Sequence, residues 1–175
     1  MAPPTTSYLV LVIATRIDTA RLALLPLQVG YAEEMAEVLS DPQLYAFTGG
    51  EPATAEALAA RYERQTAGSP YLSESWLNWV ISSLESDALV GYVQATIVGD
   101  TAEIAWVVGT SWQGRGYAKE AAQGLVDRLA AQGARSVIAH IHPDHQASAL
   151  VATAAGLTRT DQVKDGEYRW RRDFD

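Results

Sequence analysis

The sequence predicts an α+β domain with a central, mostly antiparallel twisted sheet of six to seven strands flanked by about four helices. Three observations carry this expectation. Apolar runs at 75–83, 88–98 and 102–108 follow one another through connections too short to hold a helix, which makes an antiparallel meander. A long segment, 116–132, then places Ala118, Ala121, Ala122, Leu125, Val126, Leu129 and Ala130 on one helical face. After it come a strand, a helix and a hairpin, so the regular alternation of a doubly wound fold is absent.

The elements follow in order. Residues 1–16 read as an N-terminal tail or an extra edge strand, and 17–175 as one domain. The opening lacks the basic start of a signal peptide, and its apolar run, 8–14, is far short of the ~20 residues that span a bilayer. A short strand at 21–27 carries Pro26, which either ends it or places it at an edge. A helix at 32–39 stops at Asp41-Pro42. Gly49-Gly50-Glu51-Pro52 is a loop, and Thr54 precedes a second helix to about residue 65, closed by Gly68-Ser69-Pro70. The first two meander strands join through Leu84-Glu85-Ser86-Asp87, and the next turn is Gly99-Asp100. Gly133 ends the long helix. A buried strand at 136–141 precedes a helix at 146–155 with Gly156 beyond its end. Strands 158–163 and 167–174 form a hairpin about Lys164-Asp165-Gly166.

A length of 175 residues suits one domain with a sizeable core, and 48% hydrophobic residues set the chain apart from disordered sequences. The net charge of −8 argues against a nucleic-acid partner, which needs a basic face, and is compatible with an amine-bearing substrate. The absence of cysteine removes disulfides, a thiol nucleophile and thiolate metal sites. These features lead us to expect a cytoplasmic protein with no membrane contact; a homodimer is left open. His140, His142 and His145, with Asp144 nearby, do not complete a metal-ligand set, and no metal is expected.

The stretch Trp112-Gln113-Gly114-Arg115-Gly116-Tyr117-Ala118-Lys119 joins the third meander strand to the long helix. Two glycines at such a junction let consecutive N–H groups turn toward one point, and the helix adds its free N–H groups and the positive end of its dipole. The junction is therefore suited to phosphate oxygens. It lacks the third glycine and the βαβ setting of a dinucleotide fingerprint, and the Gly-Lys-Ser/Thr ending of a P-loop.

The string Glu103-Ile104-Ala105-Trp106-Val107-Val108, a short gap, Gln113-Gly114-Arg115-Gly116-Tyr117-Ala118 and the Ala-rich helix resemble the GNAT N-acetyltransferase superfamily. Gln113, Gly116 and Ala118 match its Gln/Arg-x-x-Gly-x-Gly/Ala signature. Thr19-Ala20-Arg21-Leu22, Leu39-Ser40-Asp41-Pro42 and His142 through Ser148 resemble the RimJ/RimL-type branch, the ribosomal-protein acetyltransferases. The resemblance implies the GNAT fold and acetyl-CoA as cosubstrate. It places the pyrophosphate on the amides of Gly114, Arg115, Gly116, Tyr117, Ala118 and Lys119, with Gln113 also at the cofactor, and the pantetheine along the main chain of Trp106, Val107 and Val108. The Arg115 and Lys119 side chains either add charge to the phosphates or are solvated surface. It also assigns CoA contacts to His145, where relatives usually have asparagine, and to Ser148, for which a bond within the first helical turn is the alternative.

Acyl transfer to an amine needs a base for the amine proton, and a proton for the leaving thiolate assists it. Glu103 and His140 are the two base candidates; the alternatives are a solvent-facing carboxylate and a hydrogen-bonded core histidine. Many relatives carry a tyrosine acid where this chain has Ala152, and Tyr168 is a possible substitute. Tyr45, Phe47, Tyr71 and Trp76 either line a slot for a small-molecule or peptide amine or belong to the core. The rival expectation is a non-catalytic acyl-CoA-binding sensor or interaction module on the same fold.

Overall fold

The computed structural model describes residues 13–175, so nearly all of the run 8–14 lies outside the described residues. The elements are β1 (Ile17–Asp18), β2 (Leu22–Pro26), α1 (Ala32–Val38), α2 (Ala55–Ala67), β3 (Glu74–Ser83), β4 (Leu89–Val98), β5 (Thr101–Val108), α3 (Tyr117–Ala131), β6 (Ser136–Ile141), α4 (Gln146–Ala154), β7 (Thr158–Lys164) and β8 (Glu167–Asp173). They build one eight-stranded sheet in the order β1-β2-β3-β4-β5-β6-β8-β7. The strand count exceeds the expected six to seven. The unexpected member, β1, has two residues, too few to give a period, and is set by a turn in which the Thr19 N–H donates to the Leu22 carbonyl and the Leu22 N–H to the Thr19 hydroxyl. Pro26 ends β2, where it costs no interior ladder bond.

The helices lie on both faces. One face packs α3 and α4 against Leu77, Trp79, Ile81, Val93, Ile104 and Val137, and the other packs α1 and α2 against Val80, Leu89, Tyr92 and Val107. The period of α3 delivers Leu125, Val126 and Leu129 to the first core, each at most 1% exposed. Burial on that scale contributes about 1.5–3 kcal/mol per side chain. Gly124 lets α3 approach the turn before β2, since a Cβ there would stand 2.7 Å from Thr19 Cγ2. Among the described residues no helix is long and apolar enough to cross a membrane.

Every neighbouring pair in the sheet is antiparallel except β5 and β6, which α3 connects in parallel. Their ladder has only three rungs, Thr101 with Ser136, Ala102 with Val137 and Glu103 with Ile138. Beyond Glu103 the strands part. β5 runs on to Val108 in register with β4, and β6 runs on to Ile141 in register with β8. From Ile104 onward the β6-facing edge of β5 has no strand partner among the described residues.

A candidate active site where two strands part

Alternation along β5 sends Ala102, Ile104 and Val108 toward α3, and Glu103, Ala105 and Val107 to the other face. On β6 the same alternation sends His140 to the face of Glu103. The two base candidates meet there: His140 Nδ1 lies 2.7 Å from Glu103 Oε1. The imidazole is nearly buried, with 8% of its side chain exposed, whereas the carboxylate is 43% exposed. Glu103 is thus the wet end of the pair, at the last rung before the seam opens.

Two residues absent from the sequence-based set extend the line. Arg169 stands opposite His140 on β8 and donates from Nε to His140 Nε2 at 3.4 Å. Its Nη1 donates to Gln162 Oε1 at 2.6 Å. An irregularity in the β7–β8 pairing between Arg159 and Val163, anchored by the Thr160 hydroxyl on the Arg169 carbonyl at 2.8 Å, sets Gln162 there. No sequence period marks these residues, because their meeting depends on strand order and register.

At the top of β5 a 3-10 turn, Thr110–Trp112, leads into the junction. Gly114 and Gly116 have φ of +77° and +79°, conformations that cost glycine little. Gly116 is the N-cap of α3 and, with no side chain, offers no acceptor to the first N–H groups of the helix. The amides of Tyr117, Ala118 and Lys119 have no intrahelical acceptor by their position, and among the described residues no loop hydrogen bond takes up those of Gly114, Arg115 or Gly116. The open amides lie next to the free edge of β5, and that combination fits a pyrophosphate followed by an amide-bearing arm. Gln113 is exposed but folds back on the strand end, its Nε2 donating to the Val108 carbonyl at 3.0 Å. Arg115 lies over the Trp112 ring, 5.1 Å from its centre; Lys119 is exposed.

The junction is tied down from β2. Arg21 donates from Nη1 to the Arg115 carbonyl at 2.9 Å and from Nε to Glu120 Oε2 at 2.7 Å, while the Thr19 hydroxyl and the Arg21 N–H both reach Glu120 Oε1 at 2.7 Å. Burial opposes the charge on Glu120, but the bonds from Thr19 and Arg21 outweigh it and hold the carboxyl below its ordinary value. The Thr19-Ala20-Arg21-Leu22 motif therefore acts as a strap on the loop.

At the other lip, His145 caps α4, its Nδ1 accepting from the Ser148 N–H at 3.5 Å, and its ring stacks on Phe47 at 4.4 Å. Burial, and then the neighbouring His142, lower its pKa. Phe47 also lies 5.1 Å from the His142 ring, so the α1–α2 loop touches the β6–α4 loop beside the seam. Of the other slot aromatics, Trp76 shares a cross-strand row with Thr96 and Glu103. Tyr45 turns its hydroxyl to the Leu39 carbonyl, and Tyr71 is 66% exposed on a loop. Ala152 is fully buried in the core. Tyr168 points to the opposite face of β8 from Arg169, under the Arg159 guanidinium, beside a hollow of about 300 Å³ that Ile141 and Gln146 help to line. It is therefore not at the Glu103 carboxylate. Among the described residues no group of three His, Cys, Asp or Glu side chains is arranged for a metal ion.

A family model described as an acetyltransferase (GNAT) domain matches residues 21–158. No curated protein matches the sequence. A GNAT-family acetyltransferase from Bacillus anthracis superposes with a TM-score of 0.78 at 21% identity, covering 91% of this chain and 98% of that one. The RimL ribosomal L7/L12 alpha-N-protein acetyltransferase, solved with coenzyme A, gives 0.74 at 15%, covering 92% and 99%. A Salmonella typhimurium enzyme that modifies the N-terminal serine of the same ribosomal protein gives 0.73 at 16%, covering 92% and 100%. At these identities the structural likeness is one of fold.

Proposed function

Because the chain belongs to the GNAT acetyltransferase family, we propose that it is a cytoplasmic acetyl-CoA-dependent N-acetyltransferase of the RimJ/RimL type, acting on a primary amine borne by a small molecule or a peptide. One observation carries the proposal. The unclaimed amides of Gly114 to Lys119 adjoin the free edge of β5, and that edge leads to the Glu103–His140 pair. When bound, acetyl-CoA supplies an activated acetyl thioester. The junction amides, with Arg115 and Lys119, hold its phosphates, and the main chain at Trp106, Val107 and Val108 holds the arm. The Glu103–His140 pair removes the amine proton, and the amine attacks directly in a ternary complex, so no enzyme nucleophile is needed. His145 and Ser148 flank the arm from the start of α4. With Ala152 buried and Tyr168 on the other face of β8, the departing thiolate takes its proton from water.

The test is CoA thiol release with acetyl-CoA over a panel of small amines and short peptides with free N-termini. Release with at least one amine is expected. Acetyl-CoA binding with release on no amine would make the protein an acyl-CoA-binding module instead, and the absence of any thermal shift with acetyl-CoA would remove the donor assignment itself.

A further inference from the structure

We propose that Arg169 is a positioning residue that fixes His140 in its Nδ1–H tautomer and so makes Glu103 the proton acceptor of the pair. The catalytic half of this rests on the acetyl-transfer reading above; the tautomer does not. A guanidinium carries only donors and stays charged, so whichever nitrogen of His140 faces it must offer a lone pair. That nitrogen is Nε2, 3.4 Å from Arg169 Nε. At the other end Nδ1 stands 2.7 Å from Glu103 Oε1, and an ionised carboxylate only accepts. The Nε2–H tautomer would set donor against donor at Arg169 and lone pair against lone pair at Glu103, so both ends of the ring select Nδ1–H.

The sheet order supports the line. Arg169 and His140 are direct cross-strand partners, and His140 lies two residues beyond Ile138, the register partner of Glu103. Gln162 holds the far side of the guanidinium at 2.6 Å. The donor chain therefore runs one way, from Arg169 through His140 to Glu103. Glu103 Oε2 has no hydrogen-bond partner among the described residues and belongs to the more exposed member of the pair. During transfer the amine proton goes to Oε2 as the N–C bond forms and the C–S bond breaks. The thiolate leaves and is protonated by water, and Glu103 returns its proton to solvent. His140 keeps its own proton throughout.

The other two histidines sharpen the test. His142 Nδ1 accepts from the Asp144 N–H at 3.1 Å and His145 Nδ1 accepts from the Ser148 N–H at 3.5 Å, so both should be Nε2–H. Long-range ¹H–¹⁵N spectra of the full chain with neutral imidazoles should show one Nδ1–H ring and two Nε2–H rings, with His140→Gln deleting the first. Arg169→Met should give His140 an Nε2–H population and lower kcat roughly tenfold, with acetyl-CoA affinity and the acceptor KM unchanged. Arg169→Lys should restore little, because it lacks the fixed planar N–H. Gln162→Ala, a milder change on the surface, should move the tautomer the same way by less. An Nε2–H ring at His140 in the unaltered protein, or an unchanged tautomer and kcat in Arg169→Met, would overturn the proposal. Failure of thiol release on every amine with the Nδ1–H ring present would sink only the catalytic reading.

Discussion

At the scale of single residues the proposed reaction turns on one carboxylate. Glu103→Gln keeps the size and the acceptor oxygen toward His140 but cannot take a proton. Its kcat should fall by roughly 100-fold or more while acetyl-CoA affinity, measured by calorimetry, stays the same; an unchanged kcat would acquit the residue. Ala152 poses the opposite question. It is fully buried, and Ala152→Tyr forces a phenol into a packed core, which costs about 1–3 kcal/mol. A lowered melting temperature without a gain in kcat is the expected outcome. Residue type and the family resemblance singled out Glu103 and His140 as base candidates, but as alternatives. That they bond to each other depends on a three-rung ladder and its register, and Arg169 depends on strand β8 lying next to β6. Neither relation has a local signature. The roles of Gln113, turned onto the Val108 carbonyl, and Thr19, turned onto Glu120, were likewise beyond a reading of spacing alone.

At the scale of elements, the junction from β5 to α3 is the part most open to test. Gly116 sits at φ +79° as the N-cap of α3, and a Cβ there would come within 3.4 Å of Arg21 Nη2. Gly116→Asp adds backbone strain and sets a carboxylate among the open amides. Acetyl-CoA affinity should drop by roughly tenfold or more, about 1.4 kcal/mol; equal affinity would show that the phosphates lie elsewhere. Gly91 guards the same strand from behind, since a Cβ would stand 2.1 Å from the Val107 carbonyl oxygen. Gly91→Ala must push β4 from β5, so both thermal stability and donor affinity should fall. The meander and α3 were readable because their periods are long and unbroken. The two-residue β1 was not, and neither was the parting of β5 from β6. A run such as Ile104 to Val108 looks the same in sequence whether one edge or both are paired.

At the scale of the whole molecule, a half-buried carboxylate and a buried phenol bound the pH range of stability. Glu120 has a folded pKa below its ordinary 4.5. Its contribution is complete above that value and is lost as pH falls below it. Tyr62, pushed up to about 12 first by burial and then by Tyr92, behaves in the reverse sense. Its contribution is complete below pH 10 and is lost as pH rises from there toward 12. Urea unfolding across pH should show Glu120→Gln with a flatter acid limb and Tyr62→Phe with a flatter alkaline limb. The short β5–β6 ladder has a further, kinetic consequence. Two blocks of sheet, one ending in β5 and the other made of β6, β8 and β7, share only three rungs besides the packing of α3 and α4. In the free protein their amides should exchange with solvent water as separate cooperative units of different opening free energy. A donor arm bonded along β5 and packed against β6 would act as the missing strand. Saturating acetyl-CoA should then slow exchange in both blocks to one common rate, making the sheet a single opening unit only while the donor is in place.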